Sequence, residues 1–330
     1  YLLFYFALRH IVEKEIINFK IFFIFSGICV IFVSLDLIYQ LIFGVDIFGF
    51  PKTSRKLSGP FGDELIAGSY LQRFSIFLFF LIPFLFNLEN KKKIIFILSI
   101  LFMLIFLSMI MAGNRMPILL FLLMFVLLFF MEKKLRKYSL LFITISIIIF
   151  LLFFNFSLLV KSYTANFLDI VYQMVLFLKD VIFLGKEPSI YNTISNSYIK
   201  EFYTGYAAWR ENILVGGGID SFYSNCAKTM QFCSSHPHNY YLELLSELGL
   251  IGFILALIIL TYILYLLITS KRQFVSGNFT NNLISPFILV FLVEIFPIKT
   301  SGSFFTTGNA TFIFLILGII IGLNSNRQSN

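Results

Sequence analysis

Two of the chain's three histidines, His236 and His238, flank Pro237 in the segment CSSHPHNYYLELLSELGLIGF (233–253). An imidazole titrates near neutral pH, so either ring can take a proton from a hydroxyl group. Glu243 and Glu247 follow four residues apart, on one face of a helix. Either carboxylate can orient an imidazole or an arginine, or simply mark a membrane interface. Asn239 can cap the helix that begins behind His238 and so fix where that ring points. Together with Cys226 and Cys233 the histidines spell C-x6-C-x2-H-x-H. That spacing departs from structural zinc motifs, and Pro237 restricts His236, so no metal is expected. The two cysteines can instead close a disulfide if their loop lies outside the cytosol. Cys29, inside an apolar run, reads as an inert small residue.

A second kind of chemistry needs fixed positive charge. Arg115 sits in MAGNRMPI, in a short turn between two apolar runs. Its planar fork of donors matches phosphate oxygens, and it can equally serve as an interfacial anchor. The segment KTSRKLSGPFGDELIAGSYLQRF (52–74) places Arg55, Lys56, Asp63, Glu64 and Arg73 at or near the same interface. Any of these can meet an anionic headgroup, and Arg73, one turn into a span, needs a partner or water. Gly216 and Gly218 in VGGGIDSF suit a tight turn or a close backbone approach to a ligand. Asp36 and Gln40 share a helix face and read as a polar contact between helices.

These side chains need elements to hold them, and the composition says what kind. Charged residues make up only 13%, against roughly 25% in soluble domains, and mean hydropathy is +0.91. A membrane span needs roughly 17–25 apolar residues. Such runs lie at 21–44, 70–88, 94–112, 116–131, 138–159, 240–268, 282–298 and 310–324, and YLLFYFAL reads as the tail of a further span. The start of that span is expected upstream of Tyr1, and no basic segment marks a signal peptide. The expected fold is an all-α polytopic membrane protein. It divides into a membrane block (1–159), a large loop with interfacial helices (160–238) and a second membrane block (239–330).

Charge placement sets the orientation. About half of the chain's 25 lysines and arginines fall in the loops 9–20, 89–93, 131–137 and 270–272 and in the tail, with only Glu13, Glu15, Glu89 and Glu132 against them. Cytoplasmic loops carry this excess. The net charge of +8 is then mostly anchoring, and nucleic acid is not an expected partner. Residues 45–69, 113–115, 160–238 and 299–309 fall on the exported side. A transporter would show internal duplication and polar residues at the bilayer midplane, and a channel a repeated pore-lining element. Neither pattern is present. An enzyme acting on a lipid-linked substrate fits better, with His238, Arg115 and the 160–238 loop meeting at the exported face.

WRENILVGGGIDSF (209–222) and HPHNYYLELLSELGLIGF (236–253) resemble the signature region of the O-antigen ligase and polymerase superfamily. RKLSGPFGDELIAGSYLQRF (55–74) and AGNRMPILLF (112–121) are similar to two further landmarks in the same order, so the likeness covers about residues 20 to 325. The resemblance implies a GT-C-like helical bundle in the bacterial inner membrane, with a large periplasmic loop and a periplasmic active site. It implies a glycosyltransferase that moves glycan from undecaprenyl pyrophosphate, without metal, cofactor or nucleotide sugar. The acceptor is lipid A–core, a growing glycan in a polymerase, or a protein in an O-oligosaccharyltransferase. A transporter of lipid-linked sugar is the alternative outside enzymes. The resemblance assigns His238 as the base and Arg115 to the pyrophosphate. A second cation, expected before the glycines, is either Lys200 or Arg210, since no arginine stands at the usual spacing. Arg73, Asp63, Glu64, Asn239, Glu243, Gly216 and Gly218 are candidate supporting or substrate contacts.

Overall fold

The computed structural model describes residues 2–52, 57–85, 90–156, 158–179, 197–229, 233–272, 283–299 and 302–328; Arg55 and Lys56 lie outside them. The chain is nearly all helical: α1 (Leu2–Glu13), α2 (Phe19–Phe43), α3 (Ala67–Leu85), α4 (Lys91–Ala112), α5 (Arg115–Met131), α6 (Arg136–Phe156), α7 (Leu158–Leu178), α8 (Ser197–Glu211), α9 (Phe222–Thr229), α10 (Tyr240–Arg272), α11 (Ser285–Glu294) and α12 (Thr307–Gln328). Within them Phe19–Phe43, Lys91–Ala112, Tyr240–Tyr265 and Thr307–Ser325 are long and apolar enough to cross a bilayer. This is a polytopic helical membrane protein.

Local chemistry sets the helix ends. Asn18 caps α2 by accepting from the Lys20 amide, and left-handed Gly44 closes it with an N–H to Gln40. Left-handed Gly113 ends α4, and after Asn114 alone α5 begins at Arg115. One expected span is shorter than its hydropathy suggests. The run 282–298 gives helix only from Ser285 to Glu294. Pro297 cannot supply the amide that a continuing helix needs, and Lys299 N–H closes a turn on Phe296 instead.

The chain folds into two compact units, and packing rather than chain order divides them. The first comprises Tyr1–Ile147, Ser270–Glu294 and Ile313–Asn330. Its core is a cluster of phenylalanines. Phe102 stacks on Phe142 with ring centres 4.7 Å apart, and Phe79 meets Phe125 edge-on at 5.1 Å. Small residues let helices approach, as they do wherever lipid supplies no hydrophobic drive. A Cβ on Gly27 would stand 2.7 Å from Leu78, and one on Gly322 2.8 Å from Val12 of α1. Arg73 forms a two-pronged pair with Glu294, Nη2 to Oε1 at 2.6 Å and Nε to Oε2 at 3.1 Å, with Glu294 1% exposed. Asp36 and Gln40 fasten a loop to α2 rather than joining two helices. Asp36 accepts the Ile47 amide, while Gln40 donates to the Phe50 carbonyl and Ser58 and accepts the Gly59 amide.

The second unit comprises Ile148–Thr269 and Ile295–Phe312. Its centre is α10, which breaks at Gly249 (φ 65°, ψ −169°). An unbroken helix would bond the Leu250 and Ile251 amides to the Ser246 and Glu247 carbonyls. Here those amides donate to Ile213 (2.8 Å) and Leu214 (3.1 Å), and the freed carbonyls accept from Gly217 and Gly218, both at 2.9 Å. The glycine loop therefore fills the gap in the helix, and these two amides and two carbonyls keep partners in a membrane segment, where losing one would cost several kcal/mol. Only glycines permit this approach. A Cβ on Gly216 would lie 2.4 Å from the Glu247 backbone, and one on Gly249 2.4 Å from the Gly216 amide nitrogen.

Candidate functional site

His238 stands at the mouth of α10 in the left-handed backbone region (φ 52°). Few residues other than glycine adopt it, with His, Asn and Asp the most tolerant. Asn239 holds the ring's position from behind. Its Oδ1 accepts the Tyr241 and Leu242 amides at 3.0 and 3.2 Å, which caps α10, and its Nδ2 donates to the Pro297 carbonyl at 2.7 Å. The Tyr241 hydroxyl donates to the Ile295 carbonyl, and Glu243 accepts the Phe304 amide. The first turns of α10 thus bind the chain at Ile295, Pro297 and Phe304. Lys299 is buried there with its ammonium 5.6 Å from the centre of the Tyr240 ring.

A second wall comes from α8. Glu201, Thr204, Gly205 and Ala208 recur at helical spacing and are all buried. Gly205 lets this face reach the histidine segment, since a Cβ there would lie 2.9 Å from Pro237 and 3.2 Å from Leu242. One turn earlier on the same face, Glu201 Oε1 lies 3.6 Å from His238 Nε2. Glu201 is 8% exposed, and burial pushes its carboxyl up to about 7. The His238 side chain is 33% exposed, open enough to meet a substrate. The His236 ring lies 4.2 Å from that of His238, with Nδ1 2.9 Å from the Ser235 hydroxyl.

Cys226 and Cys233 are joined in a disulfide. Cys226 packs with Ala208 of α8 and with Phe222, and the bond ties α9 to the start of the histidine segment. Sulfurs bonded to each other are not thiolate ligands. Among the described residues no three His, Cys, Asp or Glu side chains gather as a metal site.

Gly216 and Gly218 belong to this unit as the loop keyed to the α10 break. Glu247 accepts the Asp220 amide at 2.9 Å and fixes the far end of that loop. The two candidate cations differ. Arg210 is exposed, bonds the Tyr206 hydroxyl at 3.2 Å, and lies nine residues beyond Glu201, roughly on the opposite face of α8. Lys200 is half-buried beside Glu201. Two further residues escaped the sequence. Glu201 could have been found from its one-turn spacing to Gly205, and Lys299 from being a lone charge between Pro297 and a Gly/Ser/Thr loop.

The remaining candidates lie in the first unit. Arg115 is exposed at the first residue of α5, in the turn that Asn114 ties to the Leu65 carbonyl at 3.0 Å. Asp63 and Glu64 are exposed. The fork of Arg73 is engaged by Glu294.

No curated protein and no solved structure matches this chain significantly. A family model does, the one described as O-Antigen ligase, over residues 99–257, a stretch that runs from α4 to the middle of α10 and takes in Arg115, α8, the glycine loop, His238 and Gly249. The histidine segment, the glycine loop and the helix break that joins them are therefore parts of one domain, and that domain belongs to the O-antigen ligase superfamily.

Proposed function

We propose that the protein is a glycosyltransferase of the bacterial inner membrane that moves glycan from undecaprenyl pyrophosphate to an acceptor at the periplasmic face, lipid A–core being the first candidate. The observation that carries this reading is His238, partly exposed at the mouth of a membrane helix and held by the Asn239 cap. Such a place suits a substrate that is itself anchored in lipid, with its reacting bond at headgroup depth. In the proposed step an acceptor hydroxyl attacks the anomeric carbon, and His238 accepts its proton. The bond from that carbon to the pyrophosphate oxygen breaks, and the electron pair leaves with the lipid pyrophosphate. Arg115 and a second cation offset the charge that develops there. Lys200 is favoured over Arg210, because it lies nearer the face of α8 that carries Glu201. Direct displacement inverts the anomeric centre.

Deleting the gene in its host and running the surface glycan on a gel tests the reading. Long chains that stay on carrier lipid support the ligase. A product of one repeat unit would make it a polymerase, and a shift confined to proteins an oligosaccharyltransferase. No change in any glycan would overturn it.

A further inference from the structure

We propose that Glu201 is a positioning residue for His238, holding the imidazole through Nε2 so that Nδ1 takes the acceptor's proton; this rests on His238 being the base. Three observations bring the two together. Oε1 of Glu201 lies 3.6 Å from Nε2. Gly205 removes the side chain that would hold α8 away from Pro237, which puts Glu201 above His238. The other carboxylate oxygen, Oε2, is buried and has no hydrogen-bond partner among the described residues, so the group is aimed at the imidazole rather than spent on backbone.

Glu243 and Glu247 hold backbone amides of Phe304 and Asp220, whereas Glu201 faces the ring. The proton balance follows. Neutral His238 carries its hydrogen on Nε2, toward Glu201. When the acceptor oxygen bonds the anomeric carbon, its proton moves to Nδ1, and the imidazolium formed is paired with the Glu201 carboxylate. Burial makes that carboxylate costly alone, so it gains most at the moment the ring becomes charged.

The test uses the full chain in lipid nanodiscs and a membrane extract of the gene-deleted host, which supplies donor and acceptor together. Glu201→Gln, of the same shape, is expected to lower the maximal rate about 10- to 100-fold with the half-saturating extract concentration changed less than about twofold, a smaller loss than that of the base itself. Glu201→Asp should recover part of the rate. Formate should restore activity to Glu201→Ala in a saturable way, because it can replace the missing carboxylate, and should leave His238→Ala inactive. A fully active Glu201→Gln beside an inactive His238→Ala overturns this inference and leaves the base in place. An active His238→Ala overturns the base itself. Loss in Glu201→Gln with neither aspartate recovery nor formate rescue means a packing role and also overturns the inference. If the Gln chain does not accumulate in membranes, the Asp chain serves for the same comparison.

Discussion

His238 keeps a backbone conformation that costs about 1–3 kcal/mol for a residue with a side chain, and such outliers persist where the surroundings over-determine them. The Asn239 cap, Pro237 against Gly205, and Glu201 do so here. His238→Ala should lower transfer by at least about 10²-fold while the chain still inserts, whereas His236→Ala should keep most of the rate, measured in the extract assay. Glu201 also makes a pH prediction. Its folded carboxyl titrates at about 7, above the ordinary value near 4.5, so the folded chain binds the extra proton between those limits. Stability should therefore fall as pH rises from about 4.5 to 7 and level off above. Glu201→Gln should flatten that slope in melting curves of the detergent-solubilised protein. An equal slope in both chains would refute it.

At the scale of elements, the glycine loop and the broken α10 stabilise each other through backbone alone. Gly216 and Gly218 both have positive φ, but a Cβ on Gly216 meets the Glu247 backbone while one on Gly218 meets nothing within 4 Å. Gly216→Ala should then cost far more melting temperature and activity than Gly218→Ala. Comparable losses would mean that strain, not space, sets the requirement. Reducing the Cys226–Cys233 bond should loosen α9 by about 2–3 kcal/mol, seen as faster proteolysis between α8 and α10. The capping role of Asn239 was legible in sequence, because an Asn before an apolar run has one obvious use. The break was not. ELGLIGF reads as continuous helix, and nothing local says that Gly249 gives up its helical bonds to a loop some thirty residues earlier. Glu201 shows only its one-turn spacing to Gly205 in the sequence, and the packing of α8 on Pro237 is what makes it a neighbour of His238.

For the whole molecule, hydropathy located the helices of the described residues that are long and apolar enough to span, because each must satisfy its own backbone in lipid. It misjudged the end of α11, where Pro297 and the bonds from Asn239 and Tyr241 draw the chain out of helix. It also could not show that Arg73 is paired. Arg73 and Glu294 are far apart in sequence and meet only when α3 and α11 pack. Removing one partner from a buried pair costs about 3–5 kcal/mol, while replacing both with apolar residues is often neutral. Arg73→Ala should therefore lower the melting temperature sharply and Arg73→Met with Glu294→Leu should restore it. If the double variant is as weak as the single, Arg73 has a further role. Orientation is open to a direct check. In a cysteine-free background, cysteines at Lys92 and Lys137 should react with impermeant maleimide only after the inner face is opened, and cysteines at Asp63 and Lys200 in intact spheroplasts.

The four hydrogen bonds that join the glycine loop to α10 act as a ruler. They fix the count of residues from Ile213 to Gly218 and from Ser246 to Ile251, since one residue more or fewer in either would offset every bond. Those four bonds set no count for the stretch between the two rungs. Lengthening the chain there, beyond α9, should be tolerated, whereas a single insertion inside either rung should not, whatever amino acid is inserted. Two segments that look like separate signatures would then be inherited as a pair of fixed lengths with a free spacing between them.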